Sequence, residues 1–372
     1  MTHQHPAGIY AHPTDGRLFL PFTARLDPME RLLIINFERD PDTVYIGFEP
    51  QAFDDPDTGR GLLVIGWQRD GRVDVYHQPQ LNLKREDYDI VGKGLSDFAV
   101  RSFEGGHFTI GERGADLDLA FEDKTGRMVS LRVHERNPKP RRPFGLLAPF
   151  PSGTENPPGL PLVVLHDFYF VRQAHTDIAI AIDGRSHQPD ALPAPIDGTR
   201  MHFVRYSPDL FAVIWNENHD GPLPAAAVSS GEAVEAGDAV CEIRDNAGHP
   251  EISAMRVETG RHTVRFAFDP PFPDIAHLAD DLRLAGDLLV DLGPALGHIA
   301  GVYRVQRAGS TVTIGIHPAG GWRPRISKPS LWFIYTVAPV FRRWPTTYQW
   351  QAAVDLSQPG APHMTSRWTR LS

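Results

Sequence analysis

The alternation of apolar and polar positions predicts a chain built almost wholly of β-strands. Successive side chains of a strand point to opposite faces, so period-two runs mark strands and show which face each side chain joins. The clearest pair lies in 161–184, where Leu162 to Arg172 and Thr176 to Ile182 each read as a strand. In the first, Leu162, Val164, Phe168 and Phe170 share a face with His166. Val163, Leu165, Tyr169 and Val171 share the other with Asp167. Two apolar faces predict a strand covered on both sides. In the second, Ile178, Ile180 and Ile182 form one face, and Asp177, Ala179, Ala181 and Asp183 form a small, carboxylate-edged one. Small side chains suit close packing of a second sheet, or the wall of a ligand cavity.

The same rhythm runs through the rest of the chain. Arg31 to Phe37 and Thr43 to Phe48 flank Asp40-Pro41-Asp42, and Leu62 to Gln68 and Arg72 to His77 flank Asp70-Gly71. Asp-Gly predicts a type I′ hairpin, which needs positive φ at both central positions. Ala115 to Phe121 and Met128 to His134 flank Lys124-Thr125-Gly126. Met201 to Tyr206 and Leu210 to Trp215 read as a hairpin across Ser207-Pro208-Asp209. Ala239 to Arg244, Ile252 to Val257, His262 to Phe268, Ile299 to Val305 and Thr311 to Ile316 continue the series, and Pro222 to Gly237 reads as a mobile connection. One helix is predicted, Asp274 to Leu284, where Ile275, Leu278 and Leu282 follow helical spacing between Pro273 and Gly286.

Residues 137–160 hold seven prolines and little periodicity. Proline cannot donate to a sheet ladder, so this stretch reads as a linker or lid. It divides the chain into an N-terminal β domain, 1–136, and a C-terminal β domain, 161–372. Thr125-Gly126-Arg127 and Thr259-Gly260-Arg261 both follow strands, which favours two similar halves.

Composition narrows the function. The formal charge of −9 argues against a nucleic-acid groove, which needs clustered cations. The single cysteine, Cys241, permits no internal disulfide and sits in an apolar strand as a small core residue. No apolar run reaches the length of a membrane span, and the first residues lack the apolar core of a signal peptide, so a cytoplasmic location is expected. No phosphate-binding loop, GxGxxG, GxSxG or HExxH occurs. No spacing calls for a metal ion or another cofactor.

Candidate chemistry then rests on clusters. Trp215-Asn216-Glu217-Asn218-His219-Asp220 ends a strand with three proton-transfer groups and a ring able to stack on a ligand; the same residues also suit a polar turn. His175 and Asp177 share a strand face, whereas the adjacent His166 and Asp167 point apart. Arg205, Tyr206 and Trp322 suit an anionic or aromatic group, or a buried ion pair and ordinary core.

Two all-β halves, with the Gly-Asp-Leu-Leu-Val and Gly-Val-Tyr-Arg-Val segments at Gly286 and Gly301, resemble the tandem lipocalin-like proteins that include carotenoid 1,2-hydratases. The likeness covers most of the chain at the level of architecture and carries no catalytic residue across. It implies lipocalin-like barrel or sandwich halves around an apolar cavity, and binding, with hydration or isomerisation, of a small lipid- or terpenoid-like molecule. On that reading His175, Asp177 and Glu217 are the catalytic candidates. His166, Tyr169, Arg205, Tyr206, Trp215, His219 and Trp322 are the ligand-binding ones. Two other readings stay open: a carbohydrate-active β-sandwich using Glu217 and Asp177 as a carboxylate pair, and a non-catalytic structural or interaction protein.

Overall fold

Most of the period-two runs form strands. The computed structural model describes residues 5–371 except 90, 149–156, 194, 196–197, 229–232, 295, 326–342 and 359. The fold is all-β, in several sheets, and among the described residues no helix is long and apolar enough to cross a membrane. The chain divides into two compact units. Unit 1 comprises Met1–Asp27, Glu155–Val163 and Val213–Ser372; unit 2 comprises Pro28–Thr154 and Val164–Ala212.

Unit 1 is dominated by a ten-stranded antiparallel sheet. From Ala233–Ala236 to His363–Arg370 its strands neighbour one another in chain order, and His219–Pro222 adds the last edge. The inward-facing row Cys241, Met255, Phe266, Val290 and Ile299 crosses five paired strands, and each of the five is at most 1% exposed. Cys241 is thus the core residue expected, and burial pushes its thiol up to about 11. Gly286 faces Tyr303 across the ladder, and a Cβ there would overlap the Tyr303 ring. The glycine lets that tyrosine lie flat and donate its hydroxyl to Pro270 O at 2.7 Å.

Unit 2 stacks two sheets. One is five-stranded, in the order Arg185–His187, Thr176–Ile182, Met128–Glu135, Gly114–Glu122, Glu104–Gly111. The other contains Met29–Asn36 between Met201–Trp215 and Tyr45–Asp55, followed by Gly59–Gln68, Val73–His77 and a parallel Leu95–Val100. Their facing sides share one core, with Leu33, Ile35, Phe48, Val64 and Tyr206 from the second sheet against Leu117, Leu131, Val133, Ile180 and Ile182 from the first. The isoleucine face of Thr176–Ile182 therefore packs between sheets. Its small face lies outward, with Asp177 and Ala179 exposed, and forms no cavity wall.

Four expectations need correction. Asp274 to Leu284 is not a helix: turns at Ile275–His277 and Asp280–Asp281 enclose an isolated bridge from Leu278 to Tyr10. The apolar spacing reflects Ile275 and Leu278 entering the core, each 1% exposed, and not a helical stripe. Ser207-Pro208-Asp209 makes no hairpin, because Met201–Trp215 runs as one strand. Its ladder to Met29–Asn36 ends at Ser207, so the missing N–H of Pro208 breaks no bond on that side. Pro222 to Gly237 holds two short strands, Ala225–Ala227 and Ala233–Ala236, with 229–232 outside the described residues. The Asp70-Gly71 hairpin forms, but only Gly71 has positive φ, at 90°. Gly71 N donates to Gln68 O, giving a three-residue turn closed by a left-handed glycine and not a type I′ turn.

A buried clamp fixes one end of unit 2. Arg127 Nη1 donates to Asp42 Oδ2 at 3.0 Å and Nε to Asp123 Oδ2 at 2.9 Å, while Asp123 also takes Thr125 N and Arg127 N. Burial opposes both charges, but the backbone, hydroxyl and guanidinium donors outweigh it and hold both carboxyls below their ordinary value. A carboxyl whose folded pKa is depressed stabilises the fold above its unfolded value and loses that contribution as pH falls through the folded one. Melting temperature is therefore expected to fall as pH drops below the ordinary carboxylate range. Asp123→Asn should be destabilised at pH 7 and show a shallower acid decline. An acid limb as steep in Asp123→Asn as in the parent would remove the clamp as its cause. The buried Glu135 and Glu251 act oppositely, since burial raises both and favours the protonated form.

Candidate functional site

Two polar constellations stand out, one in each unit. In unit 2 the first is set by strand register. Arg205 pairs with Ile34, and the pairs Leu32–Gln51 and Ile35–Phe48 bring Glu49 opposite Ile34 from the other side. Arg205 and Glu49 thus flank the Met29–Asn36 strand on one sheet face, with Trp67 diagonal to Glu49. This is the face away from the shared core. Glu49 accepts from Gln51 Nε2 at 2.9 Å and from Trp67 Nε1 at 3.2 Å. Burial raises its carboxyl above the ordinary value. The guanidinium of Arg205 lies 4.1 Å from the Phe203 ring centroid, and Phe203 stacks on Phe170 at 6.2 Å.

Arg205 has no hydrogen-bond or ion-pair partner among the described residues. Burial pushes its guanidinium down to about 10, although Glu49 and Glu38 pull the other way. Both side chains are only partly exposed. A half-buried arginine without an acceptor among the described residues keeps its planar fork of donors free for an anionic group.

The second constellation belongs to unit 1. Asp274, wholly buried, accepts from His277 Nδ1 at 2.6 Å and from His249 Nδ1 at 3.2 Å, both on Oδ2. The hydrogen bond it donates to Asp274 raises His277 above the ordinary histidine value. Tyr10 stacks on His249 with centroids 3.8 Å apart, accepts Asp274 N at 3.3 Å and donates to Glu251 Oε1 at 2.7 Å. Asn246 donates to the same Glu251 oxygen at 2.8 Å, while Glu251 Oε2 is buried with no hydrogen-bond partner among the described residues. The ligand atoms of His249, Asp274 and His277 lie within 4.8 Å of one another, so these three could hold a metal ion.

The residues singled out from sequence fall in several places. His175 is an exposed turn residue at φ 60°, and Asp177 is exposed on the neighbouring strand; no bond joins them. Glu217, in unit 1, is paired with Arg25 at 3.0 Å. Trp215 is 1% exposed, enclosed by Phe266 and Trp368, so it offers no stacking platform. His219 binds Pro222 O within its own short strand, and Trp322 donates to Leu296 O in the core. Tyr206 is buried and donates to Glu135 Oε2 at 2.7 Å, with Tyr169 stacked on it and Arg141 donating to its hydroxyl. His166 is half-buried on Leu160–Arg172.

Of the ten, Arg205 alone joins one of the two constellations. Sequence reasoning missed Glu49, Trp67, Tyr10, His249, Glu251, Asp274 and His277. A usable signal existed for some: Glu49 and Arg205 are charges set inside apolar strands, in IGFEPQAF and MHFVRYS. Asp274 and His277 were hidden by the helix assignment. Comparison with family models, curated proteins and solved structures finds no match to this chain.

Proposed function

We propose that unit 2 binds a small, largely apolar molecule bearing an acidic group, on the sheet face that carries Arg205 and Glu49. Arg205 takes the anion, and Phe203, Phe170 and Trp67 supply aromatic contact. The single observation behind this reading is the half-buried Arg205 guanidinium, without a hydrogen-bond or ion-pair partner among the described residues. Burial favours the protonated form of Glu49, and a protonated carboxyl can donate a proton. Glu49 is therefore the candidate acid for hydration or isomerisation of a double bond in the ligand, the chemistry implied by the lipocalin-like resemblance. This reading replaces His175, Asp177 and Glu217, which are exposed or ion-paired, as the reactive groups.

Native mass spectrometry of the purified protein, followed by denaturing extraction, tests the reading. A co-purifying acidic apolar molecule is expected. If the protein is empty and also fails to take up long-chain carboxylates added to it, the reading falls and the carbohydrate or structural alternatives gain.

A further inference from the structure

We propose that His249, Asp274 and His277 form a binding site for a first-row divalent cation, with Zn²⁺ the best match. The site lies in unit 1 and does not rest on the reading of unit 2. Two imidazoles and one carboxylate are a donor set that zinc and its neighbours favour, with a fourth position left open. The side chains are 8%, 0% and 14% exposed, so this is not an incidental surface cluster.

Two of the three ligand spacings are near those of a filled site. At zinc–ligand lengths of about 2.0–2.2 Å, tetrahedral ligands stand roughly 3.3 Å apart. Asp274 Oδ2 is 3.2 Å from His249 Nδ1 and 2.6 Å from His277 Nδ1. All three ligand atoms lie within 4.8 Å of one another, so a cation would draw the two imidazoles together and push His277 back from Asp274 while it replaces the hydrogen-bond protons. The surroundings resist larger motion. Tyr10 packs flat on His249, and the backbone N–H of Ala276 binds the other oxygen of Asp274 at 3.3 Å.

Charge points the same way. Asp274 and Glu251 are both buried, both contact Tyr10, and neither is hydrogen-bonded to a lysine or arginine among the described residues. Glu251 Oε2 has no hydrogen-bond partner among the described residues. A divalent cation on Asp274 would have Glu251 beside it as an outer acceptor.

The test uses the full chain, stripped with a chelator and titrated with ZnCl₂ by calorimetry, with bound metal counted by elemental analysis. One ion per chain is expected. His277→Ala and His249→Ala should each weaken binding by about a hundredfold, at the upper end of what perturbing a site costs. A His3→Ala/His12→Ala double variant should leave binding intact, which separates the site from the N-terminal histidines. Because the single variants could fold poorly, Co²⁺ added to the unaltered protein gives an independent readout, the visible absorption of a tetrahedral nitrogen–oxygen site. No saturable Zn²⁺ binding, no such Co²⁺ spectrum, or binding unchanged in a folded His277→Ala would overturn the proposal.

Discussion

Arg205→Ala is expected to lower affinity for an acidic apolar ligand by about ten- to a hundredfold, the range set by a hydrogen bond to a charged group. The informative measurement is a pair of titrations, with a fluorescent fatty acid and with its methyl ester. The parent protein should prefer the acid. Arg205→Ala should bind both alike, because the apolar contacts at Phe203 and Phe170 survive while the anion site is gone. Arg205→Lys keeps a charge but loses the planar fork, so an intermediate preference is expected. Folding does not confuse the result in one direction: removing a half-buried arginine with no polar partner among the described residues takes away a cost as well as a contact. Equal affinity for acid and ester in the parent protein would sink the anion-anchor role.

The largest stability effect is expected at Trp368. Its ring is wholly buried against Trp215, and its Nε1 donates to both Trp215 O at 3.1 Å and Asn216 O at 2.9 Å. Asn216 sits at φ 48°, in the left-handed region, and its Oδ1 accepts Thr23 N at 3.0 Å. One indole thus fills the core and ties down a corner where the strand ends. Trp368→Ala should cost about 3–5 kcal/mol for the vacated volume, and more for the carbonyls left without their donor. Trp368→Phe retains most of the volume and should cost about 1–3 kcal/mol, chiefly for the lost N–H. Urea denaturation followed by circular dichroism measures both. A Trp368→Ala protein within 1 kcal/mol of the parent, a small fraction of the cavity cost, would show that neither role is carried there.

The sequence was most legible where physics is local. Thr176–Ile182 appears with the boundaries its alternation implies, and Leu160–Arg172 differs only at its start. Gly71, Gly126 and Gly309 all take positive φ at their turns, as glycine punctuation implies. Local signals failed where tertiary contacts decide. Ser-Pro-Asp reads as a turn, yet one strand runs through it, paired up to Ser207 with a strand remote in sequence. Ile275 and Leu278 mimic helical spacing because each is drawn into the core from an irregular segment. The candidate sites were harder still. Arg205 and Glu49 are 156 positions apart and meet only through a third strand, and Tyr10 reaches Glu251 across 241 positions. Composition and spacing hold no trace of such pairings. What the sequence did display was an anomaly, a charge in the middle of an apolar strand.

The strand between Arg205 and Glu49 also acts as a ruler. Two inter-strand spacings separate their backbones, roughly 10 Å, and the two side chains form no ion pair with each other among the described residues. On the proposed reading, a molecule that engages both groups must reach across the intervening strand with its acidic group at one end and its reactive bond at the other. Short acids would fill one end and leave the other untouched. Chain length, more than chemical decoration, would then decide which acids are substrates and which are merely bound.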